Sequence, residues 1–520
     1  MAENASKKVL FVYPDFVENS AGTQLKGSYS EGIATISSVL KQGGHSVALY
    51  HMGGMVTKEE YVAEVKSHSP DIIAFSAWTS AYRFIKDLLA WTKQEFDIFC
   101  VVGGYHATLC PQEIIEHPDV DCVCIGEGEY PTLDICNLLD NKEELYKTPS
   151  LWFRVGDKII KNPVRPFIDD LSTLPMPDLD LFNFDEFLSS KIKTAIVMVS
   201  RGCIFSCTYC ANSQLREVYP HAKKYARFKP PEQAIAYLKL ILEKYPYFEY
   251  FNFMDSILNM NREWFDEFIV LYAKELSHIP FACRLRLDLL DEDVVRKLKE
   301  ANCYLVDVGI ESGDEQLRRE VLWRKMSDEL IINSFSWFRK YKITTLTFNI
   351  VGLPFEDLKK SLKTIKLNAR IKPSKMVVSI FYPFPSTKLT DMAREAGFLT
   401  DDADFTKEVI LKQPQYPAPQ VMFAQQYFKI YVRLYKFAFA CPKPLRVMFE
   451  GLFDFMFSFK YKPHMLFVYI HYAWVKSLHG AKRLLMKFSP KLYIKLRNKS
   501  VGLKKKKTAA SGEKENVFLK

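Results

Sequence analysis

Short apolar runs alternate with amphipathic, helix-compatible segments along most of this chain of 520 residues. In its first part these runs are Val9–Tyr13, Ser46–Tyr50, Ile72–Ser76, Ile98–Gly103 and Cys122–Ile125. Continuous Val, Ile and Phe runs suit strands buried on both faces, and the segments between them suit crossover helices. The pattern therefore predicts an α/β fold that begins with a doubly wound parallel sheet of the Rossmann-like type.

A second series of such runs begins at Thr194, with candidate strands 195–200, 250–254, 281–287, 305–310, 345–351 and 376–381. Six βα units are too few for a closed eightfold barrel, so we expect a central partial (β/α)6 barrel. A hairpin around Gly156 and a Pro-rich stretch precede it. The predicted regions are 1–145, the doubly wound domain; 146–190, hairpin and linker; 191–400, the barrel; 401–500, an α-helical extension; and 501–520, a disordered basic tail.

Three cysteines directly follow the first strand of the second series. Cys203, Cys207 and Cys210 have the spacing C-x3-C-x2-C. Thiolates this close together on a loop can converge on an iron–sulfur cluster or on zinc. A structural zinc site needs four ligands, and no fourth Cys or His lies nearby in the sequence. The spacing favours a cluster with one open iron, and zinc or metal-free buried thiols are the alternatives.

Composition and charge indicate where the protein is located and which partners it has. The eleven cysteines suggest no disulfide framework, and the N-terminal residues contain no long apolar run. Both features lead us to expect a cytoplasmic protein without a secretory signal. The net charge of +10 is concentrated at the C-terminus, because residues 482–507 contain eleven Lys or Arg and no Asp or Glu. We therefore expect no nucleic-acid partner.

The residues after the second series are rich in aromatic side chains. Leu445–Phe459 and Met465–Val475 are apolar, but neither reaches the length of a membrane-spanning helix. Aromatic residues beside a Lys/Arg cluster suit a helix that lies in the interface of an anionic membrane. A helical cap packed on the barrel is the alternative to this peripheral membrane association.

The second series resembles the radical S-adenosylmethionine (radical SAM) family. The resemblance rests on the three cysteines and on segments at the ends of the fourth and fifth strands, Val308–Gly313 and Phe348–Pro354. It implies that the cysteines hold a [4Fe–4S] cluster whose open iron binds S-adenosylmethionine. The cofactor-binding residues that it implies here are Tyr209, Glu311, Ser312, Asn349 and Gly352. Asp255 and Arg286 end the second and third strands and would face the same barrel mouth.

The first domain resembles the cobalamin-binding module that precedes some radical SAM domains. The segments that carry the resemblance are Phe75–Thr79, Val101–Thr108 and Ile125–Glu129. Small residues at strand ends let a backbone approach a flat ligand. The implied cobalamin-binding residues are Ser76, Thr79, Gly103, Gly104, His106, Gly126 and Glu127. The D-x-H-x-x-G motif, which supplies an axial His to cobalt, is absent, so cobalamin without His ligation and an empty vestigial domain both stay open.

Together the two resemblances imply an enzyme that functionalises a carbon centre of a hydrophobic small molecule. A cobalamin-dependent C-methyltransferase is the first interpretation, and an oxidative or ring-forming cyclase of the same superfamily is the second. A non-catalytic cobalamin or iron–sulfur sensor is the alternative from another class. The family also implies an electron donor such as flavodoxin or ferredoxin. No catalytic residue is predicted beyond the cofactor ligands.

Overall fold

The computed structural model describes residues 5–15, 27, 29–219, 224–405, 407–458 and isolated positions between 477 and 496. Within these residues both predicted α/β series form, and helices follow them. The apolar segment Met465–Val475, most of the basic run and the predicted tail 501–520 lie outside the described residues. None of the described helices is both long enough and apolar enough to pass through a membrane.

The first sheet has the strand order β2-β1-β3-β4-β5-β6-β7. Its strands are β1 (Lys8–Pro14), β2 (Ser46–Met52), β3 (Ile72–Ser76), β4 (Phe99–Gly103), β5 (Cys122–Cys124), β6 (Leu151–Val155) and β7 (Lys158–Lys161). Strands β1 to β5 are parallel, as predicted for a doubly wound sheet. The hairpin β6–β7, which we grouped with the linker, pairs antiparallel with β5 and forms the edge of this sheet.

Helices cover the first sheet between its strands. They are α1 (Glu31–Gln42), α2 (Lys58–His68), α3 (Tyr82–Glu95), α4 (Tyr105–Leu109), α5 (Pro111–Ile115), α6 (Glu129–Leu138) and α7 (Lys142–Leu145). Local sequence fixes several of their ends; for example, Thr57 and Glu60 form a capping box at the start of α2. A capping box satisfies backbone donors that the first turn of a helix cannot pair internally.

The second sheet has six parallel strands in the order β15-β14-β13-β12-β11-β8. Its strands are β8 (Thr194–Val197), β11 (Tyr250–Phe253), β12 (Phe281–Leu285), β13 (Cys303–Glu311), β14 (Thr344–Val351) and β15 (Lys375–Ile380). The order is sequential and β8 and β15 are opposite edges, so this sheet is the predicted partial barrel. The short strands β9 (Ser200–Arg201) and β10 (Arg227–Phe228) form a separate antiparallel pair.

Helices return the chain between the barrel strands. They are α8 (Leu188–Lys191), α9 (Ala211–Glu217), α10 (Pro231–Lys244), α11 (Arg262–Glu275), α12 (Glu292–Glu300), α13 (Glu315–Glu320), α14 (Asp328–Lys340), α15 (Leu358–Ile371) and α16 (Lys388–Glu395). Asp291, Ser327 and Asp357 accept backbone hydrogen bonds at the starts of α12, α14 and α15. These N-caps end the loops that leave the carboxyl edge of the sheet.

Two helices, α17 (Ala418–Ala440) and α18 (Lys443–Ser458), complete the described fold. Val421, Phe428 and Tyr435 of α17 are buried and share a hydrophobic cluster with side chains of α15 and β15. A different cluster joins the two sheets, because it contains Phe11 and Phe153 of the first sheet and Phe253 of the second. The two sheets therefore share one continuous core.

Candidate cofactor site

The three cysteines lie on the loop between β9 and α9, at the carboxyl edge of the barrel. Cys203 and Cys207 are buried and Cys210 is partly exposed. Burial raises the pKa of the Cys203 thiol to about 11 and also raises the pKa of Cys210. Gly202 starts the loop with φ +82°, and a Cβ there would collide with the carbonyl of Tyr225. Only glycine fits this turn without displacing the chain.

Two guanidinium groups lie beside the central cysteine. Arg286 Nη1 is 3.1 Å from Cys207 Sγ, and Arg324 Nη1 is 3.8 Å from the same sulfur. Arg286 is fixed from its other side by Asp288 at 2.8 Å, and its guanidinium lies over the Phe205 ring. Positive charge beside a sulfur stabilises its thiolate form, which is the form that binds metal.

The distances between the three sulfur atoms distinguish an iron–sulfur cluster from a single bound metal ion. Thiolates bound to one Zn²⁺ at about 2.3 Å each would lie about 3.8 Å apart. Across the described ranges, one group of three or more His, Cys, Asp or Glu ligand atoms lies within 4.8 Å, and it does not include these cysteines. An iron–sulfur cubane is larger than one ion and accepts thiolates on separate corners. The donor set therefore fits a cluster better than zinc.

Glu311 and Tyr209 meet next to the cysteine loop. Glu311 ends β13 with φ +63°, is buried, and accepts a hydrogen bond of 3.1 Å from the Tyr209 hydroxyl. Burial raises the pKa of Glu311, and the positive charge of Arg324 opposes that rise. Arg324 also donates to Tyr209 Oη at 3.1 Å and to the Gly309 carbonyl at 2.6 Å. The structure thus brings a carboxylate, a phenol and a guanidinium together beside Cys207.

Arg324 is a residue that the sequence analysis missed. It is 7% exposed and lies in the loop between α13 and α14. Its neighbours in the sequence, Trp323 and Lys325, form no pattern that indicates a site. No signal in the sequence could have identified it, because its position depends on how that loop folds back over β13.

Two predicted cofactor residues at these strand ends, Ser312 and Asn349, are engaged elsewhere. The Ser312 hydroxyl accepts from the Asp314 amide at 3.2 Å, and its carbonyl accepts from Arg318. Asn349 donates to the Val377 carbonyl and accepts from Asn368, so its amide links the sheet to α15. Their side chains hold the fold together in this structure, and neither is part of the group beside Cys207.

Gly352 is also explained by packing. It has φ +77°, and a Cβ there would come within 2.8 Å of Val421 on α17. The turn that follows is held by Glu356, which is buried and accepts from the Leu353 amide at 3.1 Å and from Ser361 at 2.8 Å. Burial raises the pKa of Glu356 to about 8. The segment Gly352–Glu356 thus fixes the turn at the end of β14 through packing and hydrogen bonds.

Asp255 fixes the chain just before the cysteine loop. Its Oδ1 accepts from the Val199 amide at 3.0 Å and from the Ser200 hydroxyl. Asp255 is completely buried, which raises its pKa to about 6. It acts on the strand that leads into the cysteines, whereas Arg286, predicted beside it, contacts Cys207 directly.

The edge of the first sheet is built from backbone turns. The Ala77 amide donates to the Gly103 carbonyl at 2.8 Å, and the His106 amide donates to the Ala77 carbonyl at 3.1 Å. Gly104 has φ +97°, and a Cβ there would lie 2.9 Å from that same Ala77 oxygen. Gly104 therefore allows the loops after β3 and β4 to touch each other, whereas a Cβ at Gly103 would make only an ordinary contact of 3.6 Å with Cys124.

Aromatic rings and hydroxyls project from this edge. Trp78 is 43% exposed and Tyr105 is 48% exposed, and their ring centroids are 5.4 Å apart. Ser76 and Thr79 are partly exposed. Helix α4, which begins at Tyr105, packs against α9, the helix that follows the cysteine loop. The rings thus line the space between the two carboxyl edges.

Gly126 and Glu127 join the two domains. A Cβ at Gly126 would collide with the Tyr219 hydroxyl, which accepts a hydrogen bond of 2.8 Å from the Glu127 amide. The Glu127 carboxylate lies 3.2 Å from Arg201 and 3.0 Å from Arg227. Burial would raise the pKa of Glu127, but these two arginines outweigh it and lower that pKa. Glu127 thus pairs with β9 and β10, the strands on either side of the cysteine loop in the sequence.

His106 is buried, with 3% of its surface exposed. Its ring packs on Tyr82 with centroids 4.7 Å apart, and Nε2 lies 3.5 Å from Glu113 Oε2. Burial lowers the pKa of His106, but Cys110 and Glu113 outweigh this effect and raise it to about 9.

Comparison with known proteins identifies both domains. The B12 binding domain model matches residues 28–135, and the radical SAM superfamily model matches residues 197–367. An uncharacterized methyltransferase of Pyrococcus horikoshii is 25% identical over 390 residues, which span 74% of this chain and 83% of that protein. An anaerobic magnesium-protoporphyrin IX monomethyl ester cyclase of Rubrivivax gelatinosus is 23% identical over 77% of this chain and 72% of its own length.

The fold agrees with these matches. The solved structure of OxsB, a cobalamin-dependent S-adenosylmethionine radical enzyme with aqua-cobalamin bound, superposes with a TM-score of 0.68. The superposition covers 96% of this chain and 81% of OxsB at 16% identity. A B12 binding domain, a radical SAM barrel and a cysteine loop at their junction are thus all present. The chain belongs to the family of radical SAM enzymes that carry a cobalamin-binding domain.

Proposed function

We propose that this protein is a cobalamin-dependent radical SAM methyltransferase that acts on a carbon centre of an apolar small molecule. The observation that carries the proposal is the juxtaposition of two carboxyl edges, one with the cysteine loop and one with exposed rings. Helix α4, which begins at Tyr105 of the first edge, packs against α9, which directly follows the cysteine loop. Similarity to a methyltransferase over most of the chain supports the same reaction class.

In this proposal Cys203, Cys207 and Cys210 hold a [4Fe–4S] cluster. When bound, the cluster supplies the electron that cleaves S-adenosylmethionine, and cobalamin carries the methyl group. Arg286 and Arg324 contribute positive charge beside the negatively charged thiolate of Cys207. Glu311 is suited to accept hydrogen bonds from the ammonium or ribose of S-adenosylmethionine, because it is a buried carboxylate at the strand end.

Cobalamin is assigned to the edge of the first sheet. Ser76 and Thr79 are partly exposed there, and their hydroxyls can bind the nucleotide tail. Trp78 and Tyr105 offer flat apolar surface of the kind that a corrin ring covers. His106 is turned toward Tyr82 and Glu113, so we expect cobalamin to bind without a histidine on cobalt.

An apolar substrate is supported by exposed aromatic residues after β15. The rings of Tyr382 and Phe384 have centroids 4.9 Å apart, and Tyr382 is 6.0 Å from Phe405. All three rings are exposed, as are Ile204 in the cysteine loop and Trp323 beside Arg324. Contiguous exposed apolar side chains at a cleft commonly mark a ligand site. We infer that these rings hold the substrate.

A ring-forming cyclase is the second candidate, because a magnesium-protoporphyrin cyclase matches 77% of the chain. The discriminating assay uses anaerobic, cluster-loaded full-length protein with cobalamin, S-adenosylmethionine and dithionite. A methyltransferase produces both S-adenosylhomocysteine and 5′-deoxyadenosine, while a cyclase produces 5′-deoxyadenosine without S-adenosylhomocysteine. A protein that yields neither product with a fully loaded cluster would be a sensor, and the proposal would fall.

Two partners belong to this proposal. Cys210 is partly exposed, so an electron donor such as flavodoxin or ferredoxin can approach the cluster from its side. The helix α18 exposes Leu445, Val447, Leu452 and Phe455, which suits shallow insertion into a membrane interface. Flotation with phosphatidylserine-containing vesicles tests this contact. We expect binding that Leu452→Glu and Phe455→Glu together abolish; equal flotation of both proteins would assign α18 to a helical cap.

A further inference from the structure

Three side chains of types that bind metal ions lie close together in the segment that follows β4. His106, Cys110 and Glu113 each offer one ligand atom, and these atoms lie within 4.8 Å of one another. The spacing i, i+4, i+7 places residues on one face of helical chain. Here His106 lies in α4, Glu113 lies in α5, and Cys110 separates the two helices. We name this group the His–Cys–Glu cluster.

The imidazole of His106 lacks the partners that a buried ring requires. Neither Nδ1 nor Nε2 makes a hydrogen bond, although the residue is only 3% exposed. The Glu113 carboxylate, at 3.5 Å from Nε2, is beyond the usual length of a hydrogen bond. A buried polar group without a partner costs about 1–3 kcal/mol. A ligand between the ring and its two neighbours would remove this cost.

The Cys110 side of the cluster contacts the barrel domain. Cys110 Sγ is 4.0 Å from the Ser386 hydroxyl, and that hydroxyl donates to the Leu109 carbonyl at 2.9 Å. Ser386 lies in the loop between β15 and α16, so this contact joins the first domain to the second. The Glu113 side chain is half exposed and leaves a path from solvent.

We propose that His106, Cys110 and Glu113 bind one Zn²⁺-type divalent transition-metal ion at the junction of the two domains. One imidazole nitrogen, one thiolate and one carboxylate form a mixed donor set that zinc accepts and that Mg²⁺ or Ca²⁺ does not favour. Two negative ligands balance the charge of the ion; on binding, the Cys110 thiol and the protonated His106 ring each release one proton to solvent.

The site is independent of the proposed chemistry of the cysteine loop. Its donors come from the first domain, and Cys203, Cys207 and Cys210 are not part of the group. The bound ion would hold the α4–α5 segment rigid against the loop that carries Tyr382 and Phe384. Its role is therefore structural, at the junction of the two domains.

The test measures zinc in full-length protein whose cysteine loop already carries its cluster. The protein is equilibrated with chelator-buffered zinc chloride, and zinc and iron are measured by mass spectrometry. We expect one zinc per chain, lost in His106→Gln and in Cys110→Ser, and bound more weakly in the exposed Glu113→Gln variant. His117→Gln is the matched control, because His117 lies nearby beside Asp119 and outside the cluster. Iron content monitors folding.

X-ray absorption at the zinc edge identifies the ligands directly. We expect one sulfur at about 2.3 Å and nitrogen or oxygen ligands at about 2.0–2.2 Å. Three sulfurs would place the zinc in the cysteine loop and overturn the proposal. Wild-type protein without zinc, or equal zinc in wild type and in the His106→Gln and Cys110→Ser variants, would also overturn it.

Discussion

The two carboxyl edges that face each other in this protein are built in opposite ways. At the barrel edge, charged side chains are buried and paired, as Arg324, Arg286 and Glu311 show around Cys207. At the first-sheet edge, backbone turns close on each other, and Trp78 and Tyr105 stay exposed. Fixed, buried charges suit a small polar ligand, and exposed rings suit a large flat one. The difference indicates which cofactor each edge accepts.

The largest effect is expected from Cys207→Ala, which changes the barrel edge and leaves the first-sheet edge intact. Cys207→Ala removes the thiolate that lies between the two guanidiniums, so we expect loss of most of the iron–thiolate absorbance near ~400 nm. S-adenosylmethionine cleavage should disappear with it, while cobalamin binding persists. Cys441→Ala is the control, because Cys441 lies at the end of α17, far from the loop in sequence. Full iron loading of Cys207→Ala would contradict the cluster assignment.

Glu311→Ala weakens the same edge without removing the cluster. A charge-assisted hydrogen bond contributes about 1.5–3 kcal/mol. We therefore expect the Kd for S-adenosylmethionine to rise about ten- to a hundredfold, measured by equilibrium binding to cluster-loaded protein. The exposed Glu315→Ala is a suitable control on the following helix. An unchanged Kd would limit Glu311 to a structural role beside Tyr209.

Gly104→Ala attacks the first-sheet edge. The added Cβ would meet the Ala77 oxygen at 2.9 Å at a backbone φ of +97°. Strain of this kind costs about 1–3 kcal/mol, so the loop should shift and cobalamin binding should fall about tenfold or more. Gly156→Ala is the matched control, because Gly156 also has positive φ but nothing within 4 Å. Equal cobalamin content in both variants would separate this turn from the binding site.

The smallest expected effect on cofactor binding comes from the buried carboxyl of Glu356, whose change is read in protein stability. The pKa of Glu356 is raised to about 8, so the folded protein holds this proton more tightly than the unfolded chain does. Its contribution to stability is complete below the unfolded pKa and is lost as the pH rises toward 8, by about 1.4 kcal/mol per pH unit. Between pH 5 and 8 the Tm of the wild type should fall relative to that of Glu356→Gln. Parallel Tm curves would show that this carboxyl is not shielded from water.

The sequence predicted the strands better than the side-chain directions. Alternating apolar runs were sufficient for both sheets, because buried parallel strands and crossover helices leave a strong pattern. The hairpin β6–β7 was recognised, but its pairing with β5 depends on a tertiary contact that no local signal records. The cysteine spacing likewise located the loop and not the guanidiniums around it.

The predicted glycines show why the rest could not be read from sequence. A glycine at a strand end fits close approach of a ligand and close approach of protein equally well. At Gly126 the neighbour is the Tyr219 hydroxyl, and at Gly352 it is Val421. Glu127 was similarly predicted to bind cobalamin, and the structure pairs it with Arg201 and Arg227. Which neighbour fills the space is decided by the tertiary fold.

The most direct test of the two-edge account is the electron paramagnetic resonance spectrum of reduced full-length protein loaded with cluster and cobalamin and freed of unbound corrinoid. We expect a reduced [4Fe–4S] signal and a cob(II)alamin signal from the same sample. The cob(II)alamin signal should lack nitrogen superhyperfine splitting, because the His106 ring is buried against Tyr82. A cluster signal without retained cobalamin, or nitrogen splitting that His106→Gln removes, would contradict the account.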